Sequence, residues 1–365
     1  MYVFLEIAAI ASYALVGFGC EHEELEASFK YLVLGSVAST FILFAIAIIY
    51  GLVGSLNMAH IGKVIGERGM NNALYFSLGL FIAGFGLKAA LVPFHAWLPD
   101  AHPSAPAPIS AMLSGVLIKA LGVYTLVRVL FSIFGFTPTI SSILIALGLL
   151  SMVMGGLLAL GQGDYKRLLA WSSISQIGYV MIGIGLGTPL GILGGLFHLI
   201  NHATFKSLLF LTAGAIEYNT GTRRLEEMGG LKERMPVTGV SALIASLSIS
   251  GIPPFGGFWS KLIIIVACLQ ANRYGLALLA IIISIITLAY YLKVQKYAFF
   301  DRLKEKWAHL VEVPFFMCMP MILLSLLCVV IGLLLIPSVS DLVLKPAVDT
   351  VIEGTKNYAI KVLGM

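Results

Sequence analysis

The sequence belongs to the all-α class, as a polytopic membrane protein with about ten transmembrane helices, inverted repeats and two broken helices. Three observations carry this reading. Of its 365 residues, 59% are hydrophobic and only 11% charged, against about 25% charged in soluble domains. Mean hydropathy is +0.97. Apolar segments of the roughly 20 residues that a bilayer crossing needs recur along the whole length.

Taken in order, the apolar runs place spans at 1–19, 29–53, 72–94, 108–134, 138–160, 167–187, 190–216, 237–270 with a break near 251–254, 275–299 and 314–337. The tail, 338–365, alternates charges with apolar residues and reads as an amphipathic helix along the membrane interface. The opening residues have neither a basic region nor a cleavage signature and are not read as a signal peptide. One set of loops holds Lys30, Lys166, Arg167, Arg223, Arg224, Lys232, Arg234, Arg302, Lys304 and Lys306. The other holds Lys63, Arg68, Arg273 and the tail lysines. The excess orients the first set, and the Pro93–Pro108 turn with it, to the cytoplasm.

GFGLKAALVPF (84–94) and SGIPPFGGFWSK (250–261) both set a Pro-Phe break and one lysine in an apolar run. Two interrupted helices in corresponding places point to transporter architecture built from inverted repeats. The expected division is 1–136 and 137–299 as the repeats, with 300–365 supplying a cytoplasmic loop, a final crossing and the tail.

The composition bounds the chemistry. The net charge of +5 is spread over loops, which is a topology signal and no nucleic-acid footprint. No phosphate-binding glycine loop is present. Cys20, Cys268, Cys318 and Cys328 form no Cys-x-x-Cys pair. No cofactor, iron–sulfur cluster or haem is therefore expected.

What remains is a set of ionisable residues inside apolar spans, where a charge is costly and marks a functional pathway by default. Glu6 lies in the first run, either near the surface or as the carboxylate partner of a buried lysine. Lys88 precedes the first break; the plain alternative is a lysine snorkelling to the interface. Varying a lysine–carboxylate distance would load and unload a proton. Lys119 stands half-way along its span, as a proton site or a fixed counter-ion. His198, His202 and Lys206, four residues apart, share one helix face. They read as a proton relay, since a metal would lack an evident third ligand. Lys261 follows the second break. His95, Asp100 and His102 sit in a wet-looking turn and are read as helix caps or as residues at a proton entrance. Asp164, Lys166 and Arg167 mark a helix start at the cytoplasmic face. Ser172, Ser173, Ser175 and Gln176 line a water path or bond neighbouring helices.

Lys88 with PFHAWLPDAHPSAPAPISAMLSG, then Lys119, DYKRLLAWSSISQIGY (164–179), HLINHATFKSLLFL (198–211) and GIPPFGGFWSK (251–261) closely resemble one family. It is that of the antiporter-like proton-channel subunits of respiratory complex I, membrane-bound energy-converting hydrogenases and multisubunit sodium/proton antiporters. The resemblance implies two inverted repeats of about five helices, each with a broken helix. It also implies a midplane chain of buried groups: Glu6 and Lys88 in the first repeat, Lys119 as the bridge, His198 and His202 as the central relay, and Lys261 where some members have glutamate. Redox chemistry in such complexes resides in other subunits. Members usually have further helices before the glutamate helix, so the resemblance implies a separate chain supplying them, a displaced start or a degenerate first repeat.

The function expected is translocation of protons, or of sodium exchanged for protons, as a multi-pass subunit of the cell membrane. The partners would be other membrane subunits and lipid, with no nucleic acid. The alternatives are a structural subunit that has lost conduction and a stand-alone secondary transporter for a small solute.

Overall fold

The computed structural model describes residues 1–363, and they are helical almost throughout. In order the helices are α1 (Tyr2–Val16), α2 (His22–Val53), α3 (Met58–Arg68), α4 (Asn72–Lys88), α5 (Leu98–Ser104), α6 (Ala107–Phe134), α7 (Pro138–Leu160) and α8 (Tyr165–Gly185). They continue with α9 (Pro189–Thr220), α10 (Pro236–Ser250), α11 (Gly256–Gln270), α12 (Tyr274–Phe300), α13 (Phe315–Leu335) and α14 (Pro337–Leu363). Seven of these are long and apolar enough to cross a membrane. Four shorter apolar helices, α1, α4, α10 and α11, accompany them. Each of the ten segments read from the sequence as a span is thus occupied by one or two of these apolar helices among the described residues.

Local chemistry sets the helix ends. Asn57, Asn71, Thr137, Asp164 and Thr188 each cap a helix start with a side-chain oxygen, satisfying amides that have no intrahelical partner. Pro138, Pro189 and Pro236 open α7, α9 and α10, where a missing N–H costs nothing. Gly54 and Gly221 close α2 and α9 in the left-handed conformation.

The first break differs from the sequence expectation in position, and the second falls where it was expected. The first helix stops at Lys88, five residues before Pro93. Ala90 takes φ +54, a strained value for a residue with a Cβ. The Leu87 carbonyl accepts from Trp97 Nε1 at 2.9 Å, and Val92 N donates to Ser151 Oγ at 2.9 Å. Groups freed by the break are therefore re-satisfied by protein, as they must be at membrane depth. In the second break, Gly251 at φ +78 ends α10 and the chain restarts at Gly256. Two helices were not read from the sequence: α3, in the loop before the first broken span, and α5, within what reads as a wet turn.

α8 is the centre of the bundle, with 94% of its spanning window buried. It packs closely on α7 because Gly155 and Gly178 let the backbones meet; a Cβ on Gly155 would lie 2.5 Å from Ser175 N. α14 follows the last crossing and packs on α3, α6 and α9. Its Leu344, Val348 and Val351 are buried there, so the expected amphipathic tail is a helix laid on the bundle. Met365 and Gly364 of that tail lie outside the described residues.

One face gathers the basic loops. Lys30 and Arg167 both bond Asp100, at 3.1 and 3.2 Å. Arg223 approaches Asp164, Glu217 and Glu23, and Lys304 donates to the Glu226 carbonyl. Met1 lies at the other face, beside Leu56 and Met58.

Candidate functional site

The intramembrane charges fall into three groups. The first joins α1, α2 and α4. Lys88 Nζ lies 3.4 Å from Glu6 Oε1 and 3.1 Å from Ser39 Oγ. Ser39 donates to the same Glu6 oxygen at 2.6 Å. Lys88 is 8% exposed and does not snorkel. It also ends its half-helix, where the dipole favours a cation. Above it Tyr31 stacks on Trp97 at 4.2 Å between centroids. A cavity of about 10 Å³, room for one water, lies among Lys88, Trp97, Tyr31 and Ile118.

The second group is central. Lys119 lies in a π-helical stretch, Leu113–Tyr124, where Thr125 Oγ1 reaches back five residues to Ala120 O at 2.7 Å. Such wide turns concentrate at functional sites. Gly122 lets this stretch touch the first break: a Cβ there would sit 2.6 Å from Ala89 Cα. Lys119 Nζ is buried and, among the described residues, has no hydrogen-bond partner; the same holds for both ring nitrogens of His202 and of His102. Burying polar atoms unpaired is costly, and water is the partner that fits. His202 is close enough to Lys119, Lys206, His198 and His102 to feel their charges. Lys206 instead is held within the protein: it donates to Ser172 Oγ and to Leu169 O, the latter at 2.7 Å, and lies 3.4 Å from Tyr291 Oη.

The third group belongs to the second break. His198 meets Ser260 Oγ at 2.8 Å and Gln176 Oε1 at 3.2 Å. Lys261 points back toward the end of α10. Its Nζ lies 3.3 Å from Ser284 Oγ, which itself donates to Ser250 O, and 4.9 Å from the centre of the Tyr179 ring. A ring face and a helix C-terminus thus stand where Lys88 has a carboxylate.

His198, His202 and Lys206 do line one buried face of α9, and the three groups lie between the two breaks. The expectation for the turn is corrected in two respects. His102 is wholly buried against Phe210, with ring centroids 4.5 Å apart, so it sits in no wet turn. Neither His95, Asp100 nor His102 caps a helix end, since α5 and α6 have no side-chain cap. His95 is half-buried beside Trp171, and Asp100 is a surface ion-pair partner. Lys166 is no surface marker: it is 3% exposed and 2.6 Å from Glu217. The serines bond helices: Ser172 to Tyr291, Ser173 to Ser114, Ser175 to the Met152 carbonyl. Sequence reading missed Ser39, Tyr179 and Tyr291, whose residue types are ordinary in apolar helices.

Comparison with known proteins agrees with this architecture. Residues 1–287 match the family described as NADH:quinone oxidoreductase/Mrp antiporter, TM. The chain is 33% identical over 348 residues to NADH-quinone oxidoreductase subunit N of Desulforudis audaxviator, covering 91% of this chain and 69% of that protein. It is 37% identical over 309 residues to a polypeptide of the Na(+)/H(+) antiporter of Alkalihalophilus pseudofirmus, covering 84% and 62%. The two relatives are therefore longer than the chain. Among solved structures, a chain of the membrane-bound sulfane sulfur reductase, an archaeal respiratory membrane complex, superposes with a TM-score of 0.88 at 34% identity over 99% of this chain and 73% of that one. With its paired breaks and buried lysines, this multi-pass membrane protein belongs to the NADH:quinone oxidoreductase/Mrp antiporter transmembrane family.

Proposed function

We propose that the chain is the proton-translocating membrane subunit of a larger complex of the respiratory, hydrogenase or multisubunit antiporter kind. One observation carries the reading: lysines and histidines buried in a single bundle between two broken helices, several with no protein partner for their polar atoms among the described residues. Groups so placed are expensive unless they serve a pathway. In this reading Glu6 and Lys88 form the pair of a first repeat (1–136). Lys119 bridges to the second (137–299), where His202, Lys206 and His198 lead to Lys261. His95, Asp100 and His102 belong to the approach from the basic face. That face is cytoplasmic by its lysine and arginine excess, and the membrane is the cell membrane. Other membrane subunits surround the chain. The chain supplies no redox chemistry of its own, and energy reaches it through neighbours.

The test is proton uptake by proteoliposomes holding the complete complex. Lys88→Ala and Lys261→Ala should each abolish uptake while the complex still assembles. Normal uptake in both variants overturns the reading.

A further inference from the structure

One buried lysine has no place in that pathway. Lys166, at the start of α8, is 3% exposed. Its Nζ lies 2.6 Å from Glu217 Oε2 and 3.1 Å from the Ala105 carbonyl. A lysine that only marks topology stays in solvent; this one is drawn inward under the basic face.

What lies on either side of the pair sets its role. Outward, Glu217 is about one-third exposed, at 32%. It forms part of the wall of an open cavity of about 490 Å³ between α6, α9 and α13, with Leu211 and Phe316. No titratable residue of α6 or α13 lines that cavity. The charged groups facing Glu217 are Lys166 and Arg223, the latter 3.7 Å from its second oxygen. Inward stands His102, fully buried, both ring nitrogens without a protein partner among the described residues. Ser110 Oγ bonds the carbonyls of both His102 and Ala105, and Lys166 bonds that same Ala105 carbonyl, so the pair and the imidazole meet within one turn at the end of α5. A pair that merely stapled α8 to α9 would need neither a cavity in front nor an unpaired imidazole behind.

We infer that Glu217 is the proton acceptor at the mouth of a side entrance from the basic face, and that Lys166 and His102 relay the proton from it to Lys119 and His202. The inference rests on the proton-conducting reading above. A proton from water first adds to the Glu217 carboxylate, which loses its charge and no longer holds the Lys166 ammonium. Lys166 then gives one N–H proton to a bridging water, which passes one of its own to an unpaired nitrogen of His102, and Lys166 keeps the bonding electron pair as a neutral amine. The Glu217 carboxyl proton passes to that amine and restores the pair. The net change is one proton moved from water to His102.

The experiment uses the complete complex in proteoliposomes, with Lys119→Ala as the control for conduction itself. Glu217→Gln should lower uptake roughly tenfold or more, the scale of losing a positioned acid–base group, and Glu217→Asp should restore most of it. Tyr218, 66% exposed beside Glu217, provides a block that acts after folding. In a Cys20→Ser background, Tyr218→Cys should conduct normally until a bulky impermeant maleimide is added at the basic face, then fall by a similar factor. Full uptake by Glu217→Gln, or by fully labelled Tyr218→Cys, while Lys119→Ala is dead, overturns the side entrance and leaves the conducting reading standing. Full uptake by Lys119→Ala overturns that reading, and the entrance with it. Should Glu217→Gln fail to assemble, the labelled cysteine alone decides.

Discussion

Glu6→Gln tests the first buried pair with little change of shape. The glutamine amide oxygen can still accept from Ser39 Oγ, which now bonds Glu6 at 2.6 Å, so the main loss is a charge 3.4 Å from Lys88 Nζ. At that separation the attraction is about 5 kcal/mol for an effective dielectric of about 20. The Glu6 side chain is 24% exposed against 6% for Lys88, so solvent screens part of it and the net loss is about 2–3 kcal/mol. At about 1.4 kcal/mol per decade, a step that needs charge on Lys88 slows roughly 30- to 150-fold. The assay is initial proton uptake by the reconstituted complex, normalised to the amount assembled. Ser39→Ala should slow uptake less, because the ion pair itself remains. Uptake by Glu6→Gln at the wild-type rate would show that the pair is not part of the path, and the reasoning that links it to conduction would fail.

Other outcomes follow from packing and surface charge. Gly122→Ala places a Cβ 2.6 Å from backbone atoms of Ala89, which cannot yield as a side chain can; thermal unfolding should register a loss of about 1–3 kcal/mol. Gly79→Ala, with open space around it, should unfold no earlier than wild type, by the same melt. Asp164→Ala removes the cap on Arg167 N at 2.9 Å and should cost about 1 kcal/mol, seen as a lower melting temperature. Asp100→Asn breaks exposed pairs with Lys30 and Arg167; the loss should stay under about 1 kcal/mol and shrink further in melts at high salt.

How far the chain could be read without coordinates depended on which signals are local. A span announces itself by a run of apolar residues, so the ten apolar helical segments and the second break were legible. α5 was not. LPDAHPS carries two prolines and polar residues, the composition of a turn, and only the surrounding bundle makes it a buried helix. His102 was misplaced for that reason. Lys88, Lys119, Lys206 and Lys261 were conspicuous because a charge in an apolar run has few ordinary explanations. Ser39 and Tyr291 carry no such signal; their role is set by the helix face they occupy, and that face by packing. Lys166 sits beside Arg167 at a helix start, and nothing local separates the exposed neighbour from the buried one. The difference comes from Glu217 on α9.

The charge count inside the bundle bears on how such a row would work. Lys88 has a carboxylate; Lys119, Lys206 and Lys261 have, among the described residues, none within ion-pair distance. Ser172 and Tyr291 oxygens meet Lys206, and Ser284 with the Tyr179 ring meets Lys261. These dipoles can accept a proton's charge for a time, yet they do not cancel it as Glu6 does. Lys119 lies within electrostatic reach of His198, His202 and Lys206, so a charge on any one raises the energy of a charge on the next. Neighbours so coupled take up and release protons as a set. If the proposed path runs through this row, a proton arriving at Lys119 would repel one already at His198 or Lys206, while the Glu6–Lys88 pair, neutral as a whole, would add little to that push until it separates. Under the proposed function the second half would then move charge by repulsion and the first half would gate it by pairing. Introducing a carboxylate beside Lys261, as in Ser284→Asp, should hold the proton there and slow uptake by the reconstituted complex. Faster uptake in that variant would contradict the repulsion mechanism.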